Sequence, residues 1–444
     1  MRETMTDAGR RFARLRTWGL RLCLAVACVA GAAAGPAGAQ TADDLFAPFT
    51  IRDIRLTMSE RDWAALREHY LENTYYTCDV RVVLGGQEAV VRNAGVRSRG
   101  TGSRSGTKPA LKIDISRYVK GQRFLGLRSI ILRNLLQDAS MVHEYVTFEL
   151  ERRLGLPVPR TVFVRLFVND AYAGLYEAIE DVDEEFLDRV NGEHAGYLYE
   201  YAWLYPYYFQ YLGPDLERYA ELWEPKTRDS EPAGALWGPF EALSRTLEQT
   251  RPEDVPSALG GAIDVSQVLR LAAADNFMAD WDGVVGYAGL NNIYLYRPLN
   301  GPAFVVPWDK DNTFHALDYG VFEGTGQNLL TARALANPRL RAEYVGTLRR
   351  AMAFSSAVGV NESPLLGPGD QGLGWLEGLV EAAARLIRKS AWSDPFKPYT
   401  NQQFEAAIAD AKRFARLRAG VVDAQLAGAR AVLAGAAEGQ LTGR

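Results

Sequence analysis

The stretch ADWDGVVGYAGLNNIYLYRPLNGPAFVVPWDKDNTF, residues 279 to 314, sets two acidic loops on either side of a short β-hairpin. Asp280 and Asp282 precede Asn291 and Asn292, IYLYR and AFVVP read as strands around the turn Leu299-Asn300-Gly301, and Asp309 and Asp311 follow the second strand. A hairpin of this kind folds both acidic loops to one sheet edge. Hard divalent cations take oxygen ligands, and a carboxylate with an amide carbonyl is the usual protein share of a Mg²⁺ site that also holds nucleotide phosphates. The carboxylates of Asp280, Asp282, Asp309 and Asp311 suit a structural Ca²⁺ ion equally well.

Upstream, Gly100-Thr101-Gly102-Ser103-Arg104-Ser105-Gly106 lies between strand patterns and is flanked by Arg97, Arg99, Lys108 and Lys112. Glycines let backbone N–H groups approach an anion and the cations neutralise it, which makes the loop a candidate phosphate cradle. An exposed basic turn is the alternative. Asp138 is expected to cap a helix running to about Leu154, with Val142, Val146 and Leu150 as its apolar stripe and Glu149 beside it. A partly buried acid needs a cation, which either Lys108 or Lys112 of the adjacent sheet, or Arg152 or Arg153 of the same helix, can supply.

The first 39 residues read as a signal peptide: Arg10, Arg11, Arg14, Arg16 and Arg21 precede the apolar run LCLAVACVAGAAAG, and cleavage is expected after Ala39. The expected product is exported, with no later segment of membrane-spanning length. Cys23 and Cys28 leave with the leader, so Cys78 has no internal partner. Of 50 basic and 54 acidic side chains, the leader holds 6 and 2, leaving 44 and 52, or −8; this balance argues against nucleic acid as a partner. His69, His143, His194 and His315 form no metal-spacing pair, and no G-x-S-x-G elbow is present.

Residues 40 to 188 read as a lobe with an antiparallel sheet and one principal helix, with a turn at Asn169-Asp170. Residues 189 to 444 read as a mostly helical lobe carrying the acidic hairpin. The expected class is α+β, with a small sheet lobe packed on a larger helical one and the hairpin lining the cleft.

Several motifs occur in order over roughly residues 90 to 315: VRSRGTGSRSGTKPALKI, LRNLLQDASMVHEYVTFELERRLGLPVPRTVFVRLFVNDAYAGLYEAIEDVDEEFL, NNIYLYR and VVPWDKDNTF. Together they resemble the spore-coat protein H (CotH) family of atypical protein kinases. The resemblance implies a bilobal protein-kinase-like fold that binds ATP with Mg²⁺ or Mn²⁺ and phosphorylates Ser or Thr on a secreted, surface or coat protein. By the same resemblance Asp282, with Asp280 as the competing alignment, orients the acceptor hydroxyl. Asp309 holds the metal with Asp311 in support, and Asn292 holds metal or shapes the loop. Lys108 is the first choice for the ATP phosphates and Lys112 the second, with Arg99 and Arg104 in the flanking loop and Glu149 as the helix acid. Glu180 falls at the lobe connection, where the adenine is expected. Pro109 and His143-Glu144 depart from the family's basic pattern. The alternative is a non-catalytic surface or coat-binding protein on the same fold, and the nine aromatics of YLYEYAWLYPYYFQY, 197 to 211, favour it unless they are core.

Overall fold

The computed structural model describes residues 40 to 442, with side-chain surroundings as far as residue 429. The expected leader lies outside the described residues. Seven strands form the first half: β1 (Ile51–Thr57), β2 (Tyr76–Leu84), β3 (Gln87–Ser98), β4 (Leu111–Asp114), β5 (Ser129–Arg133), β6 (Thr161–Val168) and β7 (Ala171–Glu180). Gly85 and Gly86, both at positive φ, close β2 onto β3, and Asn169 and Asp170 do the same for β6 and β7. Two-residue turns of this hand match the twist of the strands they join, which makes both hairpins legible locally.

The strands hydrogen-bond in the order β1-β2-β3-β4-β5-β7-β6 and close into a barrel. Closure comes from β1, whose Ile54 lies opposite Val82 of antiparallel β2 and Leu166 of parallel β6. The expected antiparallel sheet is therefore corrected to a barrel with one parallel pair. Closure removes two edges that would otherwise present unpaired backbone groups. Along β2 the inward side chains are Cys78, Val80, Val82 and Leu84, while Thr77, Arg81 and Val83 face outward. Each aliphatic side chain so buried contributes about 1.5–3 kcal/mol relative to exposure. Cys78 is a free, buried thiol pushed up to about 12 by its apolar surroundings.

The helix His143–Arg153 starts later than the sequence suggests. Asp138 still anchors it, because its carboxylate accepts the backbone N–H groups of Ser140 at 2.7 Å and of Val142 and His143 at 2.8 Å.

A second sheet takes the order β11-β10-β8-β9, built from β8 (Tyr197–Tyr201), β9 (Trp223–Pro225), β10 (Ile293–Arg297) and β11 (Phe304–Pro307). The expected hairpin is present, with Tyr296 opposite Phe304 and Gly301 at φ 104° in its turn. Behind it runs the almost wholly buried helix Val265–Met278, packed chiefly against the helix Pro338–Ser356, on which the helices Trp375–Trp392 and Asn401–Thr442 also pack. The architecture is α+β, with one apolar core inside the barrel and a larger one among the helices and second sheet. The helix Glu184–Asn191 spans the boundary expected at residue 188, and residues from Gln40 onward pack as one compact unit. Among the described residues no helix is long and apolar enough to cross a membrane.

Candidate active site

The acidic hairpin is held under backbone strain. Ala279, Asn292, Asp309 and Phe314 all adopt left-handed φ values of 53–59° without being glycine. Each such residue costs on the order of 1–3 kcal/mol and persists where the surroundings dictate it, commonly at functional sites. Ala279 ends the buried helix, and Asp280 and Asp282 follow directly. Asp282 lines a cleft of about 570 Å³ together with Asn291, Asn292, Asp309, Asn312 and the loop from Arg99 to Ser103. Its carboxylate accepts the amide N–H groups of Asn291 at 3.0 Å, Asn292 at 3.2 Å and Asn312 at 3.4 Å. Burial and the nearby carboxylates of Asp280 and Asp309 hold it above the ordinary aspartate range, with the Asn291 and Asn292 amides opposing. Of the acids lining this cleft, Asp309 pairs with Arg133, and Glu200 and Glu224 pair with Lys226. Asp282 has no ion-pair partner among the described residues.

Asp280 does not compete for the cleft. It is fully buried, its Oδ1 accepts the Asp282 backbone N–H at 3.0 Å, and its Oδ2 accepts from Lys310 Nζ at 2.9 Å. Lys310 also reaches Asp275 at 2.8 Å and lies 4.0 Å from Glu151. Asp280 is thus a brace of the loop that carries Asp282. The four-carboxylate calcium reading fails for the same reason, since Asp280 points away from Asp309 and Asp311 into a lysine.

The metal candidates meet Arg133 at the end of β5. Its guanidinium grips Asp309 in a two-pronged pair, donates to Asp311 at 3.1 Å and lies 3.2 Å from Glu144 without hydrogen-bond alignment. One cation therefore faces three carboxyls. Burial and the Asp309 charge push Asp311 well above the carboxylate range, and burial raises Glu144 to about 7 against the pull of Arg133. Asp309 stays low because Arg133 overcomes its burial. Among the described residues Asp311 Oδ1 is buried with no hydrogen-bond partner. An uncompensated acid and an orphaned oxygen fit a cation at this point. Among the described residues no three His, Cys, Asp or Glu side chains are arranged to hold a metal alone, so water or ligand oxygens would complete the shell of a bound ion.

The Gly-rich loop is shared with an adjoining cavity of about 440 Å³, lined by Arg99, Lys112, Ile131, Asp181, Val182 and Leu198 among others. Lys112 Nζ donates to Asp181 Oδ2 at 2.5 Å, and the Ser129 hydroxyl donates to the same oxygen at 2.5 Å. Burial alone would raise Asp181, but Lys112 and Ser129 hold it at about 2. The Arg99 guanidinium lies 5.5 Å from the Trp308 ring centre, lines both cavities and has no ion pair among the described residues.

Several expected site residues serve the scaffold instead. Lys108, the first choice for phosphate, is wholly buried against Asp394 at 2.7 Å. Arg104 borders the smaller cavity but is spent on carbonyls of Gly100, Tyr70 and Glu72 and on Asn73, which staples the loop. Glu149 pairs with Arg152 on its own helix. Glu180 is buried between Arg160 and Arg189, each at 2.5 Å, and lines neither cavity. The strand cation and helix acid that do meet at the cleft are Arg133 and Glu144. These two, with Asp181 and Lys310, escaped the reading of the sequence. Their signal was weak: Arg133 ends a fully buried strand, where a lone charge requires buried partners.

The profile of the CotH kinase protein family matches residues 96–356, more than half of the chain. The inner spore coat protein H of Bacillus subtilis (strain 168) is 25% identical over 302 residues, covering 65% of this chain and 75% of that protein. The crystal structure of the Helicobacter pylori proinflammatory kinase CtkA covers 73% of this chain and 94% of its own at 10% identity, with a TM-score of 0.26, too low to carry any inference.

Proposed function

Because the chain belongs to the CotH kinase protein family, we propose that it transfers the γ-phosphoryl group of ATP to Ser or Thr hydroxyls of an exported or surface protein. The observation that carries this reading is Asp282, a cleft carboxylate with no ion-pair partner among the described residues, beside the Arg133–Asp309 pair and the Gly-rich loop. In the proposed step the acceptor oxygen bonds to Pγ as the bond from Pγ to the β–γ bridging oxygen breaks. ADP leaves, and the hydroxyl proton passes to Asp282. The desolvation that raises Asp282 makes it a better proton acceptor while three amides fix its orientation.

Asp309, with Asn292 and Asp311 near it, would hold Mg²⁺ or Mn²⁺, which when bound neutralises phosphate charge. Lys112 and Arg99, which line the adjoining cavity, would meet the phosphates. The basic and apolar leader and the coat location in the relative's name support export to a surface.

One observation favours a second reading, a coat or surface binding protein without turnover. Arg133 already takes both oxygens of Asp309 in a bidentate pair, so a metal loaded there must share Asp309 with that arginine or displace it. Phosphate transfer from labelled ATP with Mg²⁺ or Mn²⁺, measured for the wild type, Asp309→Ala and Asp282→Asn, separates the two. Transfer lost in both variants is expected of the kinase. Absence of transfer in the wild type, or transfer indifferent to both substitutions, sinks it.

A further inference from the structure

The aromatic run of residues 197 to 211 divides in the fold. Tyr197, Tyr199, Tyr201, Tyr207 and Phe209 are buried in the core, whereas Trp203 is 47% exposed and its neighbour Leu204 57% exposed. Both line the cleft that contains Asp282, and so does Tyr287, 65% exposed, from the loop that follows Asp282. Large exposed apolar side chains gathered on one cleft wall normally mark a contact surface.

The wall is built rather than loose. The Trp203 indole N–H donates to the Ala288 carbonyl at 3.0 Å, which fixes one edge of the half-exposed ring. Tyr287 stacks on Trp281 at 4.6 Å between ring centres. The two loops are stitched together where the Leu290 N–H donates to the Tyr207 carbonyl at 2.7 Å, and a side chain on Gly289 would collide with that carbonyl. Fixed aromatic surface of this kind gives contact area at little cost in conformational entropy.

We propose that Trp203, Leu204 and Tyr287 form an acceptor-side subsite that takes a bulky aliphatic or aromatic side chain close in sequence to the phosphorylated Ser or Thr. This rests on the phosphotransfer reading above and adds the substrate class to it. The occupant is a polypeptide because the wall borders Asp282, the proposed acceptor carboxylate, whereas the Lys112–Asp181 pair lines the other cavity. An apolar pocket discriminates by roughly 10–200-fold per small group gained or lost. Preference for Leu or Phe over Asp at the neighbouring position is therefore expected to be at least about tenfold in kcat/KM.

The test uses the protein without its leader and a Ser/Thr peptide library with one varied position near the acceptor. Phosphate transfer, peptide binding by fluorescence anisotropy and KM for ATP are measured for the wild type, Trp203→Ala, Tyr287→Ala and Leu204→Ser. Expected are an apolar preference in the wild type, its collapse to within about twofold in the variants, and an unchanged KM for ATP. Apolar-selective peptide binding that the variants lose, with no transfer by any protein, leaves the subsite standing and removes the kinase reading. Transfer without apolar preference, or with a preference that the variants retain, overturns the subsite and leaves the kinase. A KM for ATP that rises in the Trp203 and Tyr287 variants also overturns it, by placing the base on this wall.

Discussion

Replacing Lys108 and Lys112 separately by Met distinguishes a scaffold lysine from a phosphate lysine. Lys108 and Asp394 have no exposed side-chain surface and meet at 2.7 Å. Removing one member of such a pair costs about 3–5 kcal/mol, because the other charge stays buried. Asp394 would keep the Leu175 and Phe396 N–H groups, both at 2.9 Å. That places Lys108→Met at the lower end, about 3 kcal/mol. Asp394→Leu orphans those two donors as well as the lysine and is expected to cost more. With an unfolding entropy of ~2 cal/mol/K per residue over roughly 400 residues, 3 kcal/mol lowers Tm by ~4 °C. Calorimetry reads this, while KM for ATP of the folded Lys108→Met protein is expected to match the wild type. Lys112→Met is expected to raise KM for ATP about tenfold, as loss of one charge-assisted hydrogen bond predicts, with a smaller shift in Tm. Unchanged stability in Lys108→Met with a large rise in KM for ATP would refute the reasoning and return Lys108 to the phosphates.

Three further outcomes follow from the same geometry. Asp282→Asn is expected to lower kcat about 10²–10⁴-fold as loss of a general base does, with little change in KM for ATP, whereas Asp280→Asn, stripping Lys310 of a partner, is expected to lower Tm first; steady-state kinetics with calorimetry reads both. Glu144 titrates near 7 in the fold but near 4.3 unfolded, so between these values the folded state holds a proton that the unfolded chain has released, and stability falls as pH rises through the window by up to ~1.4 kcal/mol per pH unit. Glu144→Gln is expected to flatten that limb of urea midpoint against pH, while the depressed Asp181 acts oppositely, its stabilisation being lost as pH falls from about 4 toward 2. Gly324→Ala is expected to misfold the loop it packs on, since its φ is +67° and an added Cβ would lie 1.8 Å from the Val285 carbonyl; poor soluble yield against a Gly326→Ala control, where space is open, reads this.

The parts of the fold that were legible are those written locally. Gly85-Gly86, Asn169-Asp170 and the Gly301 turn each encode a hairpin within a few residues, and period-two burial in β2 names its inner face. Barrel closure was not legible, because β1 meets β6 through a parallel register that no turn announces. Around the candidate site, sequence neighbours part to different faces by small steps. Glu180 and Asp181 are adjacent at the end of β7, and one residue flips a side chain across a strand, so Glu180 went to Arg160 while Asp181 went to Lys112 in the adjoining cavity. Glu144 and Glu149 lie five positions apart on one helix, which turns them to different faces, so Glu144 met Arg133 and Glu149 met Arg152. The choice between Lys108 and Lys112 depended on Asp394, far along the chain, which captures Lys108.

The motif Asp309-Lys310-Asp311 shows why a metal-site motif was easy to find and hard to resolve. Its alternation turns the two acids to Arg133 and the lysine to the opposite side, where Asp275 and Asp280 wait. Lys310 thus joins the loop carrying Asp309 to the loop carrying Asp282 through buried ion pairs. A buried lysine with three surrounding acids contributes little net stability, since desolvation offsets its attractions, but it strongly disfavours any register that leaves one of them unpaired. The same ions that make the sequence look like a four-acid metal site therefore fix the spacing of the two acids facing the cleft. Arg133 then holds Asp309 in place from the barrel side. The distance between Asp282 and Asp309 is consequently set from both cores at once, by Lys310 beneath and Arg133 across.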